Sequence, residues 1–216
     1  MPDQGQLRQS LRVAIVDYRM SNLHSVSQAM RLLGAEPVIA EHPDQLESAT
    51  HIVLPGVGSF SDGMAQLHDA GWVDPIRRQV AGGKPLLGIC LGMQLLATRG
   101  TEGGDIPGLD LVPGDIVRLD TLGCDLRIPH VGWNSVGDAT ESGVFDGIPG
   151  GTDFYFVHSF AFKPADVSNV VAYTGYGRPI VAAVRRGAVV GTQFHPEKSS
   201  KAGFRLLRNF LELSPC

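Results

Sequence analysis

No apolar run in this sequence approaches the roughly 18 residues that a membrane-spanning helix needs. The first eleven residues, MPDQGQLRQSL, lack the apolar core of a secretory signal. Basic residues are not in excess. The net charge is -4, which excludes a field for holding nucleic acid or an anionic membrane. Cysteine is scarce: Cys90, Cys124 and Cys216 are an odd number without metal-ligand spacing. That fits a reducing cytosol better than a disulfide framework. Repeats, linkers and low-complexity segments are also missing. What remains is a cytoplasmic protein with a short tail, residues 1–11, and one domain, residues 12–216, long enough for one sizeable core.

The order of patterns in the first half predicts a parallel sheet. "VAIV" (Val13 to Val16), "PVIA", "HIVLPG" and "PLLGI" are short apolar runs of the kind buried in parallel strands. Between them lie helical periods, first "NLHSVSQAMRLLGA" and then one or two helices over Met64 to Val80, broken near Gly71. The later half carries β-branched and aromatic runs, "DIVRL", "DFYFVHSF", "VVAYT", "IVAAV" and "AVVGTQF", several of them expected to be antiparallel. "SKAGFRLLRNFLEL" closes the chain as an amphipathic helix. The fold class is α/β, with a mostly parallel central sheet flanked by helices and a smaller antiparallel sheet.

Against this background the segment "PLLGICLGMQLL" stands out. Gly88-Ile89-Cys90-Leu91-Gly92 places a cysteine at the end of a strand and the start of a helix. That is the G-x-nucleophile-x-G elbow of strand-turn-helix hydrolases, with cysteine for serine. The glycines leave room around a strained turn, and a helix N-terminus favours thiolate. The Leu91 amide would point where an oxyanion forms. A plain buried cysteine is the competing reading of the same five residues.

A cysteine nucleophile needs a base, and the base needs an orienting group. His24, His42, His51 and His68 read as surface or capping groups. His195 lies just past an apolar strand in "GTQFHPEKSS", with Glu197 two residues on. In an extended segment that spacing puts both side chains on one side, and Pro196 stiffens the pair.

Cys90, His195 and Glu197, in this order and with these flanking words, resemble the class I glutamine amidotransferases, which have a flavodoxin-like fold. "LPGVGSF", "PHVGWN", "YFVHSF" and "GTQFHPEKS" further resemble the branch of glutaminase subunits that serve imidazole glycerol phosphate synthase in histidine biosynthesis. The resemblance covers about residues 12 to 213. It implies that Cys90 attacks glutamine, His195 moves the proton and Glu197 holds the imidazole, with no cofactor and no metal. It assigns the oxyanion donors to Leu91 and to the peptide near Val57, which the family is thought to reorient to switch activity. It assigns glutamine binding to Gln94 and Glu102, with backbone groups of Gly58, His158, Ser159 and Phe160. It implies a TIM-barrel cyclase as partner in a heterodimer, with Trp133, Asn134, Tyr155 and Lys198 near the interface and tunnel mouth. One departure stands out: the family's Asp-Tyr-Gly-x-Gly-Asn here carries Arg19 and Ser21 at its glycine positions. A paralogous glutaminase feeding another synthase, such as one aminating a surface sugar, is the alternative. A non-catalytic binding module on the same fold is a third reading, disfavoured by the intact triad.

Overall fold

The computed structural model describes residues 11–137, 139–140 and 143–214. The tail expected over residues 1–11 lies outside them except for Leu11, and so does Cys216. Among the described residues there are thirteen strands and five α-helices. β1 (Arg12–Val16), α1 (Leu23–Leu32), β2 (Glu36–Ala40), β3 (His51–Gly56), α2 (Phe60–Asp69), α3 (Val73–Ala81), β4 (Leu86–Cys90) and α4 (Leu91–Leu95) make up the first half. β5 (Arg99–Gly100), β6 (Ile106–Pro107), β7 (Gly114–Arg118), β8 (His130–Val136), β9 (Thr152–His158) and β10 (Phe160–Pro164) come next. β11 (Val170–Tyr176), β12 (Arg178–Arg186), β13 (Val189–Thr192) and α5 (Ser200–Leu211) complete the fold.

The central sheet has the order β2-β1-β3-β4-β13-β12-β11-β8-β9. Its first five strands are parallel, and the extension from β12 to β9 is antiparallel. Strand alternation divides the apolar residues between two cores. Ala14, Val16, Ile52 and Leu54 face one side of the sheet, whereas Val13, Ile15, Val53 and Leu87 face the other. Helices cover both. α1 buries Val26, Ala29 and Met30, and α5 buries Leu206, Leu207 and Phe210, each a stripe at helical spacing. Among the described residues no helix is long and apolar enough to cross a membrane.

The small second sheet has the order β10-β7-β5-β6 and is antiparallel except for the β5–β7 pair. "DFYFVHSF" is two strands, β9 and β10, divided at Ser159 and shared between the two sheets. The helix expected from Met64 begins earlier, because Ser59 caps it and its hydroxyl accepts from the Asp62 N–H. His51 departs from the surface reading. It is buried, packs edge-on against Phe210, and places Nε2 at 3.1 Å from the Leu213 carbonyl. Arg19 has φ 67°, in the left-handed region that favours glycine, so the local backbone explains the glycine it replaces.

Candidate active site

The parallel strands deliver their C-terminal ends to one place. Gly56, at the end of β3, pairs with Cys90, at the end of β4, and Ile89 pairs with Thr192, at the end of β13. Loops beyond such strand ends are where an α/β sheet forms its sites.

Cys90 has φ 55° and ψ -110°, a conformation that a side chain strains to adopt. Its flanking glycines are required sterically. A Cβ on Gly88 would lie 2.6 Å from the Gly92 carbonyl oxygen, and one on Gly92 would collide with the Leu54 carbonyl. The turn is thus as tight as the elbow pattern predicts. The helix behind it is short. α4 has only five residues, so its dipole contributes little of the positive charge anticipated beside the sulfur. Polar contacts hold the sulfur instead: Sγ lies 3.7 Å from the Val157 carbonyl and 3.9 Å from Gln193 Nε2.

His195 and Glu197 meet at 2.8 Å, Nδ1 to Oε1, with both side chains buried. The expected extended geometry is corrected, however. His195 is extended, but residues 196–198 form a 3₁₀ turn, and this turn brings Glu197 back to the imidazole. Pro196 starts the turn, where its missing N–H is not needed. Gly203 lets α5 approach closely, since a Cβ there would collide with the Pro196 carbonyl. The Ser199 hydroxyl donates to the His195 carbonyl at 2.6 Å, and the His195 N–H donates to the Tyr155 carbonyl at 2.9 Å. A carboxylate can only accept, so Nδ1 carries the proton and Nε2 is left to act. Nε2 is buried and has no hydrogen-bond partner among the described residues. Burial alone would lower the imidazole pKa, but its interactions with Cys90 and Glu197 outweigh this and raise it to about 9.

A cavity of about 300 Å³ opens beside Cys90. The eight sequence-expected residues of the oxyanion and glutamine sets share it with the thiol. Val57, Gly58, Leu91, Gln94 and Glu102 line one part, and His158, Ser159 and Phe160 line another. Glu102 Oε2 accepts the Phe60 N–H at 2.8 Å, which fixes its carboxylate. Gln94 Nε2 donates to the Phe160 carbonyl at 3.0 Å and to Gln193 Oε1 at 3.1 Å. Val57 behaves differently from the rest. Its N–H donates to the Met20 carbonyl at 2.7 Å and is not offered to Cys90.

The four residues expected at an interface lie outside the cavity. Trp133 is 54% exposed and Val131 56%, on the same face of β8. Opposite them across the β8–β9 ladder stand Tyr155 and Val157. The Trp133 and Tyr155 rings are 6.1 Å apart, and Tyr155 is 6.5 Å from the His195 ring. Lys198 is exposed on the 3₁₀ turn beside Glu197. Asn134 points to the other face of β8, where its Nδ2 is 3.2 Å from His130 Nε2.

Sequence reasoning did not single out Gln193, Met20 or the side chains of His130 and His158. Both histidines occur inside the words "PHVGWN" and "YFVHSF", and that placement was the available signal.

The model of the glutamine amidotransferase class-I family matches residues 14–213. The chain is 46% identical over 201 residues to the imidazole glycerol phosphate synthase subunit HisH of Moorella thermoacetica, covering 93% of this chain and 94% of that protein. It is 45% identical to the protein of the same name from Rhodopirellula baltica, with 92% and 96% covered. Among solved structures, one described as a glutamine amidotransferase superposes with a TM-score of 0.73 at 23% identity, covering 92% of this chain and 97% of that one. PurLQS from Thermotoga maritima gives 0.73 at 21% identity, with 94% and 98% covered. The latter two speak for the fold, while the family match and the closer relatives speak for more: the chain belongs to the class-I glutamine amidotransferases and is a glutamine amidotransferase enzyme.

Proposed function

We propose that this chain is the glutaminase subunit of imidazole glycerol phosphate synthase and works through a glutamyl thioester on Cys90. The observation that carries the reading is the constellation of a strained cysteine at a strand end, a buried imidazole fixed by a carboxylate at 2.8 Å, and a shared cavity. The relatives' names, imidazole glycerol phosphate synthase subunit HisH, support the choice of synthase.

In this mechanism glutamine enters the cavity with its ammonium group toward Glu102 and Gln94. His195 Nε2 takes the Cys90 proton and holds it as an imidazolium, in keeping with its raised pKa. The sulfur adds to the carboxamide carbon, and a tetrahedral oxyanion forms. The same imidazole returns the proton to nitrogen, the C–N bond breaks, and ammonia leaves. Water then attacks the thioester with His195 as base and releases glutamate. Dividing amide hydrolysis this way replaces one hard step with two easier ones. Glu197 keeps Nε2 as the reactive nitrogen and stabilises the imidazolium.

Ammonia must travel unprotonated to be useful, which calls for a partner that receives it directly. The surface formed by exposed Val131, Trp133 and Val157 with the half-buried Tyr155 adjoins His195 and supports docking of the TIM-barrel cyclase there, with Lys198 beside it. The engaged Val57 N–H supports a second feature, a resting state short of one oxyanion donor until the partner binds. The test is the complex of Cys90→Ala with its cyclase. Glutamine-dependent synthesis should vanish while ammonia-dependent synthesis persists. Retained glutamine-dependent turnover would refute the assignment.

A further inference from the structure

Two buried histidines near the cavity have no part in the steps above. His130 on β8 and His158 on β9 are direct cross-strand partners. His130 Nδ1 lies 2.9 Å from His158 Nε2, and His158 Nδ1 lies 2.9 Å from the Phe160 carbonyl. His130 Nε2 lies 3.2 Å from Asn134 Nδ2.

The protons of this chain can be placed from either end. A carbonyl only accepts, so His158 Nδ1 carries a hydrogen. His158 Nε2 is then an acceptor, which requires a hydrogen on His130 Nδ1 and none on His130 Nε2. The other end gives the same answer independently. Asn134 Oδ1 accepts the Ser135 N–H at 2.9 Å, and Nδ2 donates to the Gly175 carbonyl at 2.9 Å, so the amide is oriented with Nδ2 toward His130. Its second hydrogen meets an unprotonated Nε2. Each ring therefore holds one proton, at Nδ1, and a second proton on either would set two donors against each other. Burial acts the same way. It lowers the pKa of His130 to about 4, and that of His158 to about 3 with help from the nearby His130 and His195. The His130 ring is further clamped between Tyr176 and Phe156, with centroids at 4.0 and 4.8 Å.

The output of the chain is the Phe160 carbonyl. It accepts from His158 Nδ1 and from Gln94 Nε2. The remaining Gln94 amide hydrogen goes to Gln193 Oε1. Both Gln94 donors are thus spent, and only its carbonyl oxygen is left for the cavity. An acceptor there suits an ammonium group, whereas a rotated amide would confront it with a donor.

We propose that His130 and His158 are positioning residues for substrate: a proton-locked pair that fixes the Phe160 carbonyl and, through it, presents the Gln94 oxygen to the amino group of the bound amino acid. This rests on the glutaminase reading for the identity of the substrate, but the proton placement does not.

Two measurements test it. Nitrogen-15 NMR of the uniformly labelled full chain at neutral pH should show both rings neutral with the hydrogen on Nδ1, assigned by loss of each signal in His130→Gln and His158→Asn. A hydrogen on Nε2 of either ring, or an imidazolium, overturns the proposal even if glutamate release proceeds as described. In the cyclase complex, His158→Asn keeps a donor near the Nδ1 position and should hold the glutamine KM within a few-fold of wild type. His158→Leu fills the space without a donor and should raise KM about tenfold, more than it lowers kcat. Equal KM values for the two variants would overturn the proposal. Absence of any glutamate release by the wild-type complex would instead refute the glutaminase reading, leaving the NMR result in place.

Discussion

The Val57 N–H donates to the carbonyl of Met20 at 2.7 Å, across the gap between the loop after β3 and the loop after β1. A trans peptide points its N–H and C=O in opposite directions, so freeing this N–H for Cys90 means turning the whole Gly56–Val57 unit. The neighbours limit how that happens. A Cβ on Gly56 would collide with the Tyr18 hydroxyl, and Gly58 has φ 119° with Met20 Cε 2.6 Å from where its Cβ would be.

Gly58→Ala therefore should impair the switch by strain as well as by crowding. Tyr18 and Met20 are packed against the loop, and a side chain at positive φ costs about 1–2 kcal/mol. The expected outcome is a fall in partner-activated glutamate release of about tenfold or more, with smaller change in the basal rate. Steady-state release with and without the liganded cyclase checks it. Unchanged activation would detach the loop from the switch.

The strain at Cys90 predicts a stability effect separate from catalysis. Cys90→Gly and Cys90→Ala both lose the nucleophile and both should be inactive. Glycine, however, relieves the backbone at φ 55°, ψ -110°, whereas alanine does not. Cys90→Gly should be more stable than Cys90→Ala by about 1–2 kcal/mol in urea unfolding. The reverse order would show that the elbow is not strained in solution.

The His195–Glu197 contact predicts a pH dependence. Folding raises the imidazole pKa from 6.5 to about 9, so the folded state binds this proton more tightly than the unfolded chain does. The resulting stabilisation is complete below pH 6.5 and is lost as pH climbs through about 9. Glu197→Gln removes the carboxylate's part of it. Between about pH 6 and about pH 10, wild type should therefore lose more unfolding free energy than Glu197→Gln. Equal losses would mean that Glu197 does not hold a charged His195. In activity, Glu197→Ala should cost less than His195→Ala, since in the proposed mechanism the glutamate orients and the histidine transfers protons.

These residues differ in how visible they are in the sequence, and the reason is locality. Gly88, Cys90 and Gly92 sit within five positions, so a local steric rule reveals the elbow. His195 and Glu197 were close enough in sequence to be paired, yet the 3₁₀ turn between them was not legible, because tertiary contacts such as Gly203 against Pro196 select it. The five-residue length of α4 was hidden because "LGMQLLAT" continues a helical pattern past Leu95, where the backbone instead turns toward β5. β8 escaped a strand reading altogether. Its glycine and asparagine weaken the pattern, and its outward residues, Val131 and Trp133, are the apolar ones. The His130–His158 pair depends on the β8–β9 register across 28 positions, which no short-range signal specifies.

The most direct test of the account is glutamate release by the chain alone, with the TIM-barrel cyclase, and with the cyclase loaded with its nucleotide substrate. On the proposed reading, an N–H committed to Met20 leaves the resting site one oxyanion donor short, a deficit worth about 10²–10³ in rate. The lone chain should be slow, and the loaded complex should be faster by roughly that factor. A lone chain already as fast as the loaded complex would contradict the switch, and no release under any of the three conditions would contradict the glutaminase itself.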